Sequence, residues 1–256
     1  MIAPIDKIKS LLSEEIVTLF GDDVIDNSYD EAMKFVLSIL SSKTLITELS
    51  THFGTTNHQW YTDTASDIVQ TKFLKNRRIL KVEREHTAAT DVYYEATELN
   101  FLNYEKFTNS SSIHYENNIY RPKWYGNASG HLKLIPSAVT DFKVYYITFP
   151  KMGSSGGYSD GFLQTHHLHG KTFSTIVSEG QINDIFIGIP DDARELVYVQ
   201  IALNLIQNYL ADFVHEEEDE EMVALLSQHT ASLNASKKDN LQYVANKYGM
   251  GVKKGE

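Results

Sequence analysis

Apolar residues recur at three- and four-residue steps near the start of the chain and alternate through its middle. Ile5, Ile8, Leu11, Leu12, Ile16 and Leu19 predict a helix over residues 4–20, ended by Gly21. A second helix is predicted from Ser28 to about Leu49. Ser28 stands as its N-cap with Glu31 in the capping-box position, and Met33, Phe35, Val36, Leu37, Ile39 and Leu40 form its apolar face. Residues 51–63 read as a loop, and Ser66 or Asp67 caps a short helix through Leu74. "RRILKVERE" (77–85) alternates as a strand, whereas 91–107 mix both periods and their Glu, Ala and Leu content favours helix.

The pattern then turns to strands. "NIYRPKWYGNASG" fits a strand and a turn. The stretch His131–Lys151 holds two apolar runs, "HLKLI" and "FKVYYITF", each closed by a proline, and reads as a hairpin. In its second strand Phe142, Val144 and Tyr146 point one way and Tyr145, Ile147 and Phe149 the other, so both faces call for cover. Residues 151–171 are rich in Gly, Ser and His and read as a flexible insertion loop. "TFSTIVS", a turn at Glu179–Gly180 and "INDIFIGI" predict another hairpin. Pro190 opens a long helix to about Val214, with Asp191, Asp192 and Glu195 complementing its dipole and a polar stripe at Gln200, Asn204, Asn208 and Asp212. "HEEEDEE" (215–221) separates it from a last helix carrying Met222, Leu225, Leu226 and Leu233, and residues 248–256 read as a frayed tail. The pattern predicts a single α+β domain over 1–256: N-terminal helices, a small central antiparallel sheet or sandwich, and a long C-terminal helical hairpin.

Composition narrows the chemistry. The 256 residues are 42% hydrophobic, enough for a real core, and contain no cysteine, which excludes disulfides, cysteine nucleophiles and thiolate metal sites. With no signal-peptide pattern and no apolar run of about 20 residues, the chain is expected to be soluble and unexported. Its net charge of −11 argues against a protein that grips nucleic acid and suits one that nucleic acid slides past; the basic cluster Lys72–Lys81 reads as a solvated face.

Three histidines, His166, His167 and His169, are the most chemical-looking group, and a histidine-ligated metalloenzyme is the alternative they raise. They lie on a glycine-rich loop without an HExxH partner, which favours ordinary surface histidines. "GSSGG" (153–157) lacks a phosphate-loop lysine, and no GxSxG or acid/base spacing occurs. No cofactor and no catalytic residue is predicted. Aromatic residues crowd the middle third instead: Tyr93, Tyr94, Tyr104, Tyr115, Tyr120, Trp124, Tyr125, Tyr145 and Tyr146. Trp124, Tyr125, Tyr145 and Tyr146 are candidate core or inter-subunit anchors, and Tyr158 and Phe162 candidate docking residues on the 151–171 loop. The signal is one of assembly.

The order "GHLKLIPSAVTDFKVYYITFPK", a Gly/Ser insertion, "IPDDARELVYVQIALNLIQNYLADF" and an acidic restart into a last helix resembles the head–tail connector (adaptor or ring) proteins of tailed bacteriophages. In that group an x-L-x-φ-x-P…φ-x-φ-x-Y-φ…P strand pair precedes a φP-x-x-x-x-x-L-φ helix, φ being apolar. Leu134, Ile135, Pro136, Val144, Tyr145, Tyr146, Pro150, Ile189, Pro190, Leu196 and Val197 match. The resemblance covers about Gly130 to Leu233, under half the chain, and the Asn/Lys/Ile/Tyr usage is similar to that of crAss-like phages. It implies a non-enzymatic virion protein, assembled in the host cytoplasm as a ring, often dodecameric, below the portal. Its implied partners are the portal and neighbouring tail or ring proteins, with genomic DNA passing through the lumen without sequence-specific binding and no membrane contact. The acidic run 216–221 is then expected to face lumen or solvent.

Overall fold

The structure, a computed structural model, describes residues 4–12, 17, 20–53, 60–63, 77–86, 92–100, 104–112, 118–126, 132–136, 142–149, 186, 188–213 and 220–249. The fold is α+β. The chain divides into two compact units: a helical one, Met1–His52 with Phe149–Glu256, and a β-rich one, Phe53–Thr148, inserted between its halves. Sequence patterning drew no boundary between them.

The helical unit contains α1 (Pro4–Leu12), α2 (Asp22–Ile39), α3 (Ser42–Phe53), α5 (Arg194–Phe213) and α6 (Glu220–Tyr248). The remaining described α-helix, α4 (Tyr104–Thr108), belongs to the β unit. Helix α5 is central: α1, α2 and α6 all pack on it. That is why Leu196, Val197, Val199, Ile201, Ala202, Leu203, Leu205 and Ile206 are all buried around its circumference. A 3₁₀ turn, Asp191–Ala193, leads into α5 after Pro190, as the proline and the following acids predict.

Two N-terminal boundaries differ from expectation. Helix α2 starts at Asp22, not Ser28, and Ser28 lies buried inside it. The apolar period runs back through Tyr29 to Ile25, both buried, and Asp22 and Asp23 supply the negative charge that a helix start favours. The single helix expected to reach Leu49 is broken at Leu40, which is extended (φ −64°, ψ 145°). Ser41 then caps α3, its Oγ accepting from the Thr44 amide at 3.2 Å.

The polar stripe of α5 has an internal use. Gln200 Nε2 donates to Asn204 Oδ1 at 2.7 Å, and Asn204 Nδ2 donates to the Ser28 carbonyl at 3.2 Å, across the buried α2–α5 contact. Phe20 and Tyr209 add an edge-to-face ring contact, centroids 6.1 Å apart.

The β unit holds two sheets. One has the order β1 (Trp60–Asp63), β7 (Phe142–Thr148), β2 (Arg77–Glu85), β3 (Tyr93–Glu95), all antiparallel. The other has β4 (Thr97–Glu98), β5 (Lys123–Gly126) and β6 (Leu132–Ile135); β4–β5 is parallel and β5–β6 antiparallel. The short helix α4 (Tyr104–Thr108) lies between β4 and β5 in sequence. The hairpin expected across His131–Lys151 does not form, because β6 pairs with β5 while β7 has β1 on one edge and β2 on the other. With both its edges occupied, β7 offers no ladder to β6.

The helix favoured over 91–107 is likewise corrected. Tyr93–Glu95 pairs with β2, the Ala96 amide donates to the Val82 carbonyl at 2.8 Å, and the next residues turn to the second sheet. There the Thr97 amide donates to the Pro122 carbonyl at 2.9 Å and that of Leu99 to the Trp124 carbonyl at 2.8 Å. One extended stretch thus serves both sheets, and its ladder bonds outweigh local helix propensity. The sheets are also joined by buried Arg84. Its Nε donates to the Pro136 carbonyl at 3.1 Å, and Nη1 to the carbonyls of Glu85 at 2.7 Å and His86 at 3.3 Å.

The helix expected over 66–74, the loop 151–171, the acidic residues 216–219 and most of the hairpin expected over 172–189 lie outside the described residues. At the described end of that hairpin the chain turns instead of extending: the Ile189 amide donates to the Phe186 carbonyl at 2.9 Å.

Candidate interaction surfaces

Both faces of β7 hold buried side chains, Val144 and Tyr146 on one and Ile147 on the other. Tyr125 is also buried, and Trp124 and Tyr145 are half-buried. Tyr145 has a local task. Its hydroxyl donates to Glu83 Oε2 at 3.0 Å, Glu83 forms an ion pair with Lys81, and Lys81 Nζ lies 5.5 Å from the Tyr145 ring centre. Burial, with the bond to Glu83 second, pushes the Tyr145 phenol well above its ordinary range. Beside it, Lys143 Nζ stands 3.6 Å above the Tyr93 ring. Of the four anchor candidates, Tyr125 and Tyr146 are thus core residues of the β unit, and the half-buried Tyr145 is held to Glu83. Tyr158 and Phe162 lie outside the described residues, as do His166, His167 and His169. Among the described residues no group of three or more histidines and acids is placed to hold a metal ion, and no helix is long and apolar enough to cross a membrane.

A different aromatic group reaches the surface. His86, at the end of β2, Tyr94 on β3 and Tyr120 form a triangle of rings. Centroid separations are 5.5 Å (His86–Tyr94), 4.9 Å (His86–Tyr120) and 5.5 Å (Tyr94–Tyr120). Tyr120 is 59% exposed and nearby Val92 46%. The backbone fixes this patch. The His86 amide donates to the Val92 carbonyl at 2.8 Å, and the Asn118 side chain accepts from the Tyr120 amide at 2.9 Å. The Arg121 amide closes the same turn on the Asn118 carbonyl at 3.2 Å. An exposed ring on a hydrogen-bonded turn presents large contact area at little ordering cost. Tyr94 and Tyr120 are two of the crowded aromatics of the middle third; His86 and Val92 carry no sequence signal of exposure. The only local pointer is Asn118, a turn former two residues before Tyr120.

The helical unit has its own exposed apolar residues. The last turns of α6 lie at the start of α5: Tyr243 and Tyr248 donate hydroxyls to Asp192 Oδ2 at 3.2 and 3.1 Å, and Lys247 pairs with the same oxygen. The carbonyl of Tyr248 accepts from Ser41 Oγ at 2.9 Å and Thr44 Oγ1 at 3.1 Å, and Gly249, at φ 70°, ends the helix. Tyr248, expected to begin a frayed tail, is tied at both its hydroxyl and its carbonyl. The two helices therefore run antiparallel. Near the start of α6, Val223 is 41% and Leu225 45% exposed, on either side of buried Leu226.

Charge divides unevenly between the units. The helical unit has 12 Lys and Arg against 24 Asp and Glu, a net of −12; the β unit has 11 against 10, a net of +1. No protein-family model matches the chain, and no curated protein matches its sequence.

Proposed function

We propose that this chain is a non-enzymatic structural subunit of a virion: a head–tail connector protein that forms a ring below the portal, joins capsid to tail and extends the DNA channel. The observation that carries the reading is the turn-fixed His86–Tyr94–Tyr120 patch, on which Tyr120 stands exposed. An exposed ring backed by two further rings fits protein–protein contact. The connector-like motif supports the same reading from the sequence side. Ile189, Pro190, Leu196 and Val197 open the buried central helix, and Leu134, Ile135, Val144 and Tyr146 are core residues of the β unit. A helical unit with a net charge of −12 suits a wall along which a phosphate backbone passes without adhering.

The test is the copy number of the chain in purified virus particles from its source, by quantitative mass spectrometry against the major capsid protein. A small fixed number, of the size of a ring, supports the connector; absence from the particle overturns it.

A further inference from the structure

We infer that a single buried water molecule binds between α2 and α5, held by the Ser28 hydroxyl and the Gln200 side-chain oxygen and completed by the Asn204 amide. The inference concerns the interior of the helical unit and stands apart from the assembly reading.

Two buried oxygens carry it. Ser28 is fully buried, and its Oγ has no hydrogen-bond partner in the protein. Gln200 Oε1 is buried and equally unpartnered. Ser28 differs in this from other helical hydroxyls of the chain. Those of Ser10, Ser38, Thr47, Ser227 and Thr230 each donate to a carbonyl three or four residues back, at 2.7 to 3.0 Å. That local bond is the common outlet for a hydroxyl inside a helix. Ser28 does not use it, and its burial leaves it no bulk solvent to turn to. A buried donor or acceptor left dry loses its hydration without return, and native proteins nearly always give it a partner.

One amide joins the two oxygens. Asn204 Nδ2 donates to the Ser28 carbonyl at 3.2 Å, and Asn204 Oδ1 accepts from Gln200 Nε2 at 2.7 Å. The unpartnered oxygens therefore belong to the two residues already bonded to Asn204, one on each helix. The Asn204 amide itself keeps a second Nδ2 hydrogen and a second Oδ1 lone pair for a further bond.

The chemistry selects water. Gln200 Oε1 can only accept, whereas Ser28 Oγ can donate or accept, and a water molecule supplies both roles. A direct bond from the Ser28 hydroxyl to Gln200 Oε1 would also satisfy both, and it is not made. All three side chains are neutral. They are too few for a calcium-like cation, which takes about six to eight oxygens, but they match the roughly three hydrogen bonds of a typical buried water.

The test compares Ser28→Ala with Ser38→Ala in the full chain by urea titration, with circular dichroism as the folding control. Ser38 is exposed on the same helix, so it carries the same change in helix propensity. Ser28→Ala takes a partner from the bound water and is expected to raise the unfolding equilibrium constant roughly 5-fold or more beyond the control. A dry site gives the opposite sign: deleting an unsatisfied hydroxyl leaves the constant unchanged or lowers it, and that result overturns the inference. The second readout is magnetic cross-relaxation between water and the nitrogen-15-labelled side-chain amides of Gln200 and Asn204. A long-lived water signal is expected in the wild type and is lost in Ser28→Ala. Its absence from the wild type overturns the inference even where Ser28→Ala destabilises, since Ser28 then only fills space.

Discussion

The hydroxyl of Tyr248 reaches Asp192 Oδ2 across 3.1 Å, joining two residues 56 positions apart and fixing the end of α6 to the start of α5. Tyr243 and Lys247 converge on the same oxygen. Along 29 residues α6 has only Leu226, Leu233 and Val244 as buried apolar side chains among those described, so this polar knot matters to its attachment. Asp192→Asn keeps the size and removes the charge. It is expected to lower the unfolding free energy by about 1 kcal/mol, the scale of a partly exposed charge-assisted network. Hydrogen exchange is expected to rise in the last turns of α6 and stay unchanged in α2, and urea titration measures the total.

Asn204 is a buried polar link between helices. Replacing it by alanine removes the Asn204 partner of the Ser28 carbonyl and of the Gln200 amide at a helix contact where Asn204 itself is buried. The expected cost is about 1–3 kcal/mol, read from the shift of the denaturation midpoint. Asn208→Ala, four residues on and exposed, is the control and is expected to change stability by less than about 0.5 kcal/mol.

Three phenols make stability sensitive to alkali. Tyr29 is raised well above its ordinary value by burial and then by Asp30 and Tyr198. Tyr145 is raised by burial and by Glu83, and Tyr198 is pushed up to about 12, chiefly by burial. A phenol whose folded pKa exceeds its unfolded value binds its proton more tightly in the native state. Its stabilisation is complete below the unfolded value of about 10 and is lost as pH climbs through the folded one. Urea midpoints are therefore expected to hold steady from pH 8 to about 9.5 and to fall above about pH 10. Tyr29→Phe is expected to flatten that fall; an unchanged slope would refute the assignment.

Two tyrosines of the β unit should respond in opposite ways to the same change. Tyr146 is buried in the four-stranded sheet, where Tyr146→Asp places a carboxylate without water and is expected to cost more than about 4 kcal/mol, unfolding the unit. Tyr120 stands on the surface, and Tyr120→Asp is expected to leave the melting temperature within about 2 °C of wild type. Near-ultraviolet circular dichroism separates the two outcomes.

The contrast shows where sequence patterning stops. Period and punctuation locate the buried helix after Pro190 and the strands at 77–85, 123–126, 132–135 and 142–148, because each is a local property. They do not reveal that β7 lies between β1 and β2, since Trp60 opposite Tyr145 is a pairing across 85 positions with no local mark. Nor does a count of tyrosines say which are core. Tyr145 and Tyr146 are adjacent in sequence, and one hydroxyl finds Glu83 across the sheet while the other ring is buried on the opposite face. Tyr120 stays exposed because Asn118 turns the chain there, an effect of two hydrogen bonds.

The insertion of the β unit between α3 and α5 also sets a schedule for biosynthesis. Helices α1 and α2 leave the ribosome without the helix they pack against, because α5 begins roughly 150 residues after α2 ends. At 5–20 residues per second that is a wait of about 10–30 s, during which their apolar faces have no native cover. The β unit, complete by Thr148, emerges in the interval and can fold first. The nascent α1–α2 segment is therefore the stage at which a chaperone would be engaged, and truncation before Pro190 should yield a chain whose β unit is ordered and whose N-terminal helices are protease-sensitive.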